Sequence, residues 1–207
     1  MNYLKSIFLF LLFAFSTSIF AVQQQTAALE LTQLLNSFSS FQAQFTQTTS
    51  DVNHQVLQQS NGTMMLMRPG RFRWETKDPT HQIVITDGKT LWIYDIDLKQ
   101  ATKQSIQNSP INPAKLLSGD VSTLMTQFNV HMIPHKNRVV FQLIPKKPSR
   151  QFRSVAIAFQ NRQLHSMQIQ NTMEQTNTFT FSNVEVNKPL SPELFKFTAP
   201  HGVDVMQ

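Results

Sequence analysis

The sequence contains no cysteine in its 207 residues. Without a thiol, the chain can form neither a disulfide bond nor a thiolate metal site. A bacterial lipoprotein receives its own lipid on a cysteine that follows its signal peptide. We therefore expect a protein that has no lipid anchor of its own and diffuses freely.

Glycine and acidic residues are also scarce, with five Gly and twelve Asp plus Glu. The phosphate-binding patterns GxGxxG and GxxxxGK[ST] are absent, and so is the GxSxG pattern of α/β-hydrolases. No two acidic residues are spaced as an acid–base pair, because those in the strand-rich region stand near predicted strand ends or turns: Glu75, Asp78, Asp87, Asp95, Asp97 and Asp120. The sequence predicts a protein that is not an enzyme and binds no cofactor.

The six histidines give no metal-binding pattern. His131 and His135 are four residues apart on a predicted strand, which places them roughly 13 Å apart, too far to share one metal ion. His165 lies on an apolar face, and we expect it in the core. There is also no nucleic-acid recognition motif, so no nucleic-acid partner is expected.

The first 21 residues have the pattern of a secretory signal peptide. Lys5 supplies a positive start, residues 7–15 form a short apolar run, and Ile19-Phe20-Ala21 fits a small-residue cleavage site. The apolar run is short for a membrane-spanning helix, although an uncleaved anchor is the alternative. We predict cleavage after Ala21, export to the periplasm and a single domain over residues 22–207.

Cleavage would lower the formal net charge from +6 to +5, because the removed segment contains one Lys and no acidic residue. The remaining basic residues are scattered along the chain. Such an excess keeps a protein soluble, and it also favours contact with anionic lipid headgroups.

Two stretches carry apolar residues at helical spacing. The first predicts one amphipathic helix over residues 25–38, based on four leucines: Leu29, Leu31, Leu34 and Leu35. The second predicts two short helices at 113–117 and 121–128, preceded by Pro110 and separated by Gly119-Asp120.

Most of the remaining chain alternates between apolar and polar residues, which is the period of a β-strand. Turn signals separate these runs: Asn61-Gly62, Pro69-Gly70, Asp87-Gly88, Lys136-Asn137, Asn161-Arg162 and Asn171-Thr172. The pattern predicts a mainly β (α+β) fold with eleven or twelve antiparallel strands in a meander. A long meander must cover its second face or close on itself, so we expect a curled sheet capped by helices, with space for a cavity.

Soft apolar side chains and one arginine meet in a single predicted strand. Met64, Met65 and Met67 adapt easily in shape, so they are either ordinary core filling or the lining of a pliable binding cavity. Arg68 shares a face with Met64 and Leu66. Its five N–H donors require either water, as in a snorkelling surface residue, or acceptors such as the free carbonyl groups of a helix end.

The order and spacing of several motifs resemble the outer-membrane lipoprotein carrier (LolA) family. The most specific run is RPxxFRWE…DGKTLWIYD, which starts at Arg68 and ends at Asp95. The segment PAKLLSGD at 113–120 resembles the lid helices of the family, and FKFTAPHGVDV at 195–205 resembles its last strand and terminal segment. The resemblance covers nearly all of the chain after the signal peptide.

This resemblance implies an incompletely closed antiparallel β-barrel, or half-barrel, with a lid of short α-helices over a hydrophobic cavity. It also implies a periplasmic carrier, acting as a monomer. The carrier would accept triacylated lipoproteins from an ATP-driven, ABC-type lipoprotein-releasing complex of the inner membrane. It would then deliver them to an outer-membrane lipoprotein receptor.

The resemblance further implies roles for individual residues. In the family, an Arg followed by Pro hydrogen-bonds the lid and holds it closed, and Arg68 matches it; a Phe shortly afterwards affects transfer, and Phe72 matches it. The candidates for contact with acyl chains come from apolar strands and the lid: Met64, Leu66, Phe72, Trp74, Trp92, Leu116, Leu117, Phe141, Ile157 and Met167.

Two other functions remain open at this point. The first is a lipid-binding sensor or regulator with the same half-barrel and no enzymatic activity. The second is a secreted lipid hydrolase whose active site is assembled from residues distant in sequence. The outer-membrane receptor has the same architecture, but it would need the cysteine that this chain lacks.

Overall fold

The computed structural model describes residues 25–106, 113–150 and 152–206. The expected signal peptide, its cleavage site at Ala21, and Pro110 lie outside the described residues. Within these three ranges, no helix has the length and apolar character needed to cross a membrane.

Helix α1 covers residues 25–36, so the predicted helix was extended two residues too far. It is followed by Ser37, whose hydroxyl donates a hydrogen bond to the carbonyl of Leu34 at 2.7 Å. Its buried stripe has a four-three-one spacing typical of one helix face: Ala27, Leu31, Leu34 and Leu35. The prediction that Leu29 belongs to this stripe was wrong. Leu29 precedes Leu31 by two residues, which correspond to about 200° of helical rotation, so its side chain lies on the exposed side of the helix.

In the described part of the chain, twelve strands and two further helices follow α1. Their bounds are β1 Ser40–Ser50, β2 Val56–Met67, β3 Arg71–Asp78, β4 Gln82–Thr86, β5 Thr90–Asp95, β6 Gln100–Ser105, α2 Pro113–Ser118, α3 Val121–Met125, β7 Phe128–Pro134, β8 Arg138–Pro145, β9 Phe152–Gln160, β10 Gln163–Asn171, β11 Thr176–Val186 and β12 Asp204–Met206. A single 3₁₀ turn, Pro192–Phe195, precedes β12.

All twelve strands form one open sheet in the order β12-β6-β5-β4-β3-β2-β1-β11-β10-β9-β8-β7. Strands next to each other are antiparallel, which confirms the predicted mainly β fold with few short helices. The exception is β12, which runs parallel to β6 with Val205 opposite Ala101. Alternation along a strand does not indicate the direction of its neighbour, so the sequence pattern did not reveal this pair.

The core lies on one face of the sheet, the concave face, which the three helices cover. It combines the apolar stripe of α1 with side chains of α2 and α3 and with alternate residues of eight strands. Its centre is aromatic: the ring of Trp74 stacks on Phe45 at 3.9 Å between centroids and meets the edge of Phe179 at 5.1 Å. Such contacts add to the stability gained from burial alone.

A second, smaller apolar contact lies on the opposite, outer face of β3 to β6. The segment after β11 crosses this face, buries Phe195 and places Phe197 against the rings of Trp92 and Tyr94, with centroids 5.1 and 5.3 Å away. The terminal segment therefore covers apolar residues that the helices cannot reach.

The prediction for His165 was wrong. A β-bulge between Leu164 and Ser166 shifts the alternation of β10, so Leu164 and Met167 are buried while His165 remains half-exposed. A bulge adds one residue to a strand and leaves no clear signal in the sequence. A prediction based on strict alternation therefore assigns the residues beside the bulge to the wrong face of the sheet.

Five of the six predicted turns lie between strands, but Asn61-Gly62 does not. Gly62 lies inside β2, between Phe45 of β1 and Thr76 of β3. A Cβ atom at this position would be 1.9 Å from the carbonyl oxygen of Glu75 and 2.8 Å from the Phe45 ring. The glycine serves close packing rather than a turn, and residues 51–55 form the actual hairpin loop.

Replacement of Gly62 by alanine should therefore destabilise the protein strongly. We expect the free energy of unfolding to fall by about 3 kcal/mol or more, since the new methyl group must displace backbone atoms. Urea unfolding followed by circular dichroism measures this. Gly202→Ala is the matched control, because no atom of the described residues lies within 4 Å of the new methyl group and only the positive φ of 81° opposes the change. An equal loss in both variants would contradict the packing explanation.

Candidate functional site

Nine of the ten apolar candidates lie in the buried core of the concave face. They belong to β2, β3, α2, β8, β9 and β10, and each is less than a tenth exposed: Met64, Leu66, Phe72, Trp74, Leu116, Leu117, Phe141, Ile157 and Met167. The fold thus joins strand and lid residues that are up to about a hundred positions apart in sequence. Together they belong to one continuous apolar core between the sheet and the helices.

Trp92 is the candidate that the structure sets apart. Trp92 of β5 is paired with Ile85 of β4. Its side chain lies on the outer side of the sheet, where it contacts Phe197. The Lys103 ammonium group lies 5.5 Å from the centroid of its ring. Alternation places Leu91 on the concave side and hence Trp92 on the other side, so the acyl-contact expectation for Trp92 does not fit its position.

Arg68 links the sheet to the lid. It follows the last residue of β2, and its guanidinium group donates hydrogen bonds to the carbonyls of Leu117 at 2.7 Å and Gly119 at 3.0 Å. These carbonyls are at the end of α2, where the helix has no partners for them. Of the two alternatives for Arg68, the structure shows the contact to a helix end.

The surroundings of Arg68 make this contact costly as well as favourable. Burial lowers the pKa of Arg68, although an arginine remains charged at neutral pH. Its Nε atom is buried and has no hydrogen-bond partner in the part of the chain that the structure describes. The ring of Phe38 lies 5.3 Å from Cζ and supplies a cation–π contact.

A third bond at the lid comes from Gly70. Its amide donates to the carbonyl of Ser118 at 2.9 Å, so three successive carbonyls at the end of α2 are bound by the β2–β3 turn. We call these three bonds the lid latch. Sequence reasoning did not predict the roles of Gly70 and Phe38, because neither is an obvious partner for a helix end.

The β4–β5 turn packs against the β2–β3 turn that carries the latch. Asp87 accepts backbone hydrogen bonds from Lys89 at 2.9 Å and Thr90 at 2.8 Å, which fix the turn. Partial burial raises the pKa of Asp87, but the bonds from Thr90 and Lys89 outweigh it and leave the pKa below its ordinary value. Gly88 packs against Gly70, where a Cβ on Gly70 would be 3.2 Å from the Gly88 Cα. This contact brings the RP and DGKT motifs together in the fold.

A groove beside α1 borders the apolar core, and the core side chains at its floor are almost fully buried. This groove of about 330 Å³ opens between α1 and the ends of β7, β8 and β9, and its floor includes Leu34 and Phe159 of the core. Among the described residues, no group of three or more His, Cys, Asp and Glu is placed to hold a metal ion. The site consists of apolar surface, a helical cover and a polar latch, which suits the binding of lipid chains.

An open sheet with an apolar face under latched helices defines a lipid-binding carrier fold. Residues 36–198 match the family model of the outer membrane lipoprotein carrier protein LolA. An outer-membrane lipoprotein carrier protein of Coxiella burnetii is 46% identical over 95% of this chain and 94% of that protein. The chain belongs to the LolA family of periplasmic carriers, which are not enzymes.

Distant solved structures share the fold alone. An uncharacterized conserved protein from Thermus thermophilus is 12% identical with a TM-score of 0.53, covering 89% of this chain and 99% of that one. A Pseudomonas aeruginosa MucA/MucB structure is 17% identical with a TM-score of 0.51, covering 84% of this chain and 62% of that one. The carrier function therefore follows from the close relatives rather than from these structures.

Loss of the Arg68 side chain should loosen the lid. In Arg68→Leu, we expect the Gly70 amide to exchange with solvent on the order of tenfold to a hundredfold faster, because two charge-assisted hydrogen bonds are lost. Hydrogen exchange followed by NMR measures this. The Asn171 amide, bound to the carbonyl of Gln175 at 2.9 Å at the opposite end of the sheet, is the internal reference.

The matched control is Arg73→Leu, which removes an outer-face arginine paired with Glu75 at 3.2 Å. This variant should leave exchange of the Gly70 amide unchanged. Wild-type protection of that amide in Arg68→Leu would show that the guanidinium group does not hold the lid.

Proposed function

We propose that the protein carries triacylated lipoproteins between an ABC-type releasing complex of the inner membrane and a receptor at the outer membrane. The acyl chains would occupy the concave face of the sheet, in contact with the nine buried candidates. Arg68 would act as the gate by setting the balance between the closed and the open lid. The observation that carries the proposal is the lid latch over a continuous apolar core.

The energetics of the cargo explain why a carrier is needed. Transfer of one methylene group from lipid to water costs about 0.8 kcal/mol. A chain of about fifteen methylenes then costs on the order of 12 kcal/mol, and three chains on the order of 36 kcal/mol. No such molecule crosses an aqueous compartment unaided, so the carrier must replace lipid with apolar protein surface.

The carrier must also release its cargo. Tight closure of the helices over the empty sheet favours release, because the protein then covers its own apolar face. Each latch bond is worth about 1 kcal/mol, or somewhat more where the charged guanidinium group donates. Closed and open states that differ by only a few kcal/mol allow cargo to open the lid and a receptor to close it again.

The remaining features of the proposal concern the chain itself. Cleavage after Ala21 would release one domain, residues 22–207, into the periplasm as a monomer. The signal-peptide pattern supports this, as does the family, whose carriers work in that compartment.

The first test identifies the cargo. The protein is purified from a periplasmic extract, and bound molecules are extracted and analysed by mass spectrometry. We expect triacylated lipoprotein, and the mature N-terminus from the same measurement should be Val22. Free sterol, quinone or no ligand at all would count against the proposal.

The second test measures delivery. In Arg68→Leu, the closed empty state loses stability relative to the loaded state, so transfer of cargo to outer membranes should slow by about tenfold while folding is preserved. Release is followed as the fraction of labelled lipoprotein that leaves the carrier over time. Arg73→Leu should transfer cargo normally, and normal transfer by Arg68→Leu would remove Arg68 from the mechanism.

A further inference from the structure

Two neighbouring hairpin loops at the end of the sheet farthest from the lid latch expose large apolar side chains. The loop 51–55 joins β1 to β2, and the loop 171–175 spans the turn from β10 to β11. They lie side by side, because Ser50 at the end of β1 pairs with Thr176 at the start of β11. We call them the twin loops.

The apolar side chains at the twin loops are among the most exposed of the chain. Val52 and Met173, in the two loops, are 62% and 75% exposed, and Val56 and Leu57 at the start of β2 are 58% and 53% exposed. The β1–β2 hairpin also projects roughly 17 Å past β3, because Asn61 lies opposite Asp78 at the end of that strand. These four side chains therefore form the tip of the molecule.

Both loops have the same ordered conformation. In the first, the Asp51 carboxylate accepts backbone bonds from Asn53 at 2.9 Å and Gln55 at 2.8 Å. In the second, the Asn171 side chain accepts the equivalent bonds from Met173 at 3.0 Å and Gln175 at 2.9 Å. The fourth residue of each loop has a positive φ, 61° at His54 and 65° at Glu174.

This order matters because a flexible loop can fold its apolar side chains away from water. Here the side chain of the first loop residue fixes the backbone, so Val52 and Met173 stay on the outside. Rigid exposure of apolar groups at adjacent tips is a feature of interaction surfaces. It also lowers the entropy lost when such a surface binds.

Basic residues stand next to the twin loops. The β8–β9 connection is attached to the second loop, since Thr172 donates to the carbonyl of Arg150 at 3.4 Å and Arg153 pairs with Glu174 at 2.7 Å. The surroundings hold four basic residues against two acidic ones: Lys146, Lys147, Arg150 and Arg153 against Asp51 and Glu174. Lys147 and Arg150 are exposed, and their side chains have no ion-pair partner within the described ranges.

We propose that the twin loops form a docking surface for an anionic phospholipid bilayer. The four apolar side chains enter the interface between headgroups and acyl chains, and the adjacent cations meet phosphate groups. Apolar anchors combined with basic residues are the pattern that anionic membranes bind. The lid latch lies at the other end of β2, about 40 Å away, so it stays accessible while the loops touch lipid.

The test is flotation of the purified protein with vesicles. We expect binding to vesicles of phosphatidylglycerol, weak binding to vesicles of phosphatidylcholine, and weaker binding as ionic strength rises. Leu57→Ser with Met173→Ser should lower the partition coefficient by about tenfold or more, because two anchors are lost. Lys147→Gln with Arg150→Gln should lower it about fivefold for each charge removed.

The matched controls change residues of similar exposure elsewhere. Leu29→Ser replaces a 58% exposed leucine on α1, and Lys136→Gln with Lys188→Gln removes two exposed charges from the opposite end of the sheet. Both should bind like the wild-type protein, and cargo binding should be unchanged in all variants, since none of the altered residues belongs to the buried core.

The proposal is wrong if the wild-type protein does not float with anionic vesicles, or if the loop variants bind as well as the controls. Equal binding to both kinds of vesicle would also overturn the anionic preference. Sedimentation of the same samples tests whether the twin loops instead bind a second copy of the protein. The lipid proposal fails if the wild-type protein is a dimer and Leu57→Ser with Met173→Ser makes it a monomer without changing flotation.

Discussion

The concave face of this sheet is apolar over most of its length, and it must be covered at all times. Each large side chain on it contributes about 1.5–3 kcal/mol when it leaves water. In the structure, the cover is provided by α1, α2 and α3, whose buried residues complete the core. Acyl chains are apolar, like the buried side chains of these helices.

Loading a carrier of this kind therefore exchanges one apolar cover of the sheet for another. The net free energy of loading is a small difference between two large terms, the burial of the sheet by the helices and its burial by acyl chains.

The lid latch has the properties that such an exchange needs. Arg68 makes two short bonds to carbonyls, yet its Nε is buried without a partner among the described residues and its charge is partly removed from water. An unsatisfied buried donor costs about 1–3 kcal/mol, comparable to what each charged hydrogen bond gains. The latch thus defines one geometry for the closed lid without making that state very stable. A fully satisfied arginine would be a stronger latch.

Sequence reasoning reached the open β-sheet, the lid helices and Arg68, because alternation, helical spacing and a specific motif are all local signals. It failed where a long-range contact decides the outcome. Gly62 resembled a turn glycine but serves the close approach of Glu75 and Phe45. Trp92 resembled a core residue but packs on Phe197 of the terminal segment. The roles of Gly70 and Phe38 depend on which carbonyls and which guanidinium group the fold brings to them, and no spacing rule contains that information.

The connectivity of the sheet places the lid helices in a segment that lies outside the strand ladder. Strands β1 to β6 are each hydrogen-bonded to the next, and so are β7 to β11, while β11 joins the two halves by pairing with β1. The connection from β6 to β7 must instead pass from one side of the open sheet to the far edge, across the concave face, and it contains α2 and α3. In the described part of this segment, α2 and α3 belong to no strand, and α2 is hydrogen-bonded to the β2–β3 turn through the lid latch. Because it crosses the opening, it covers the apolar face while it is latched, and Arg68 and Gly70 together couple this cover to the end of β2.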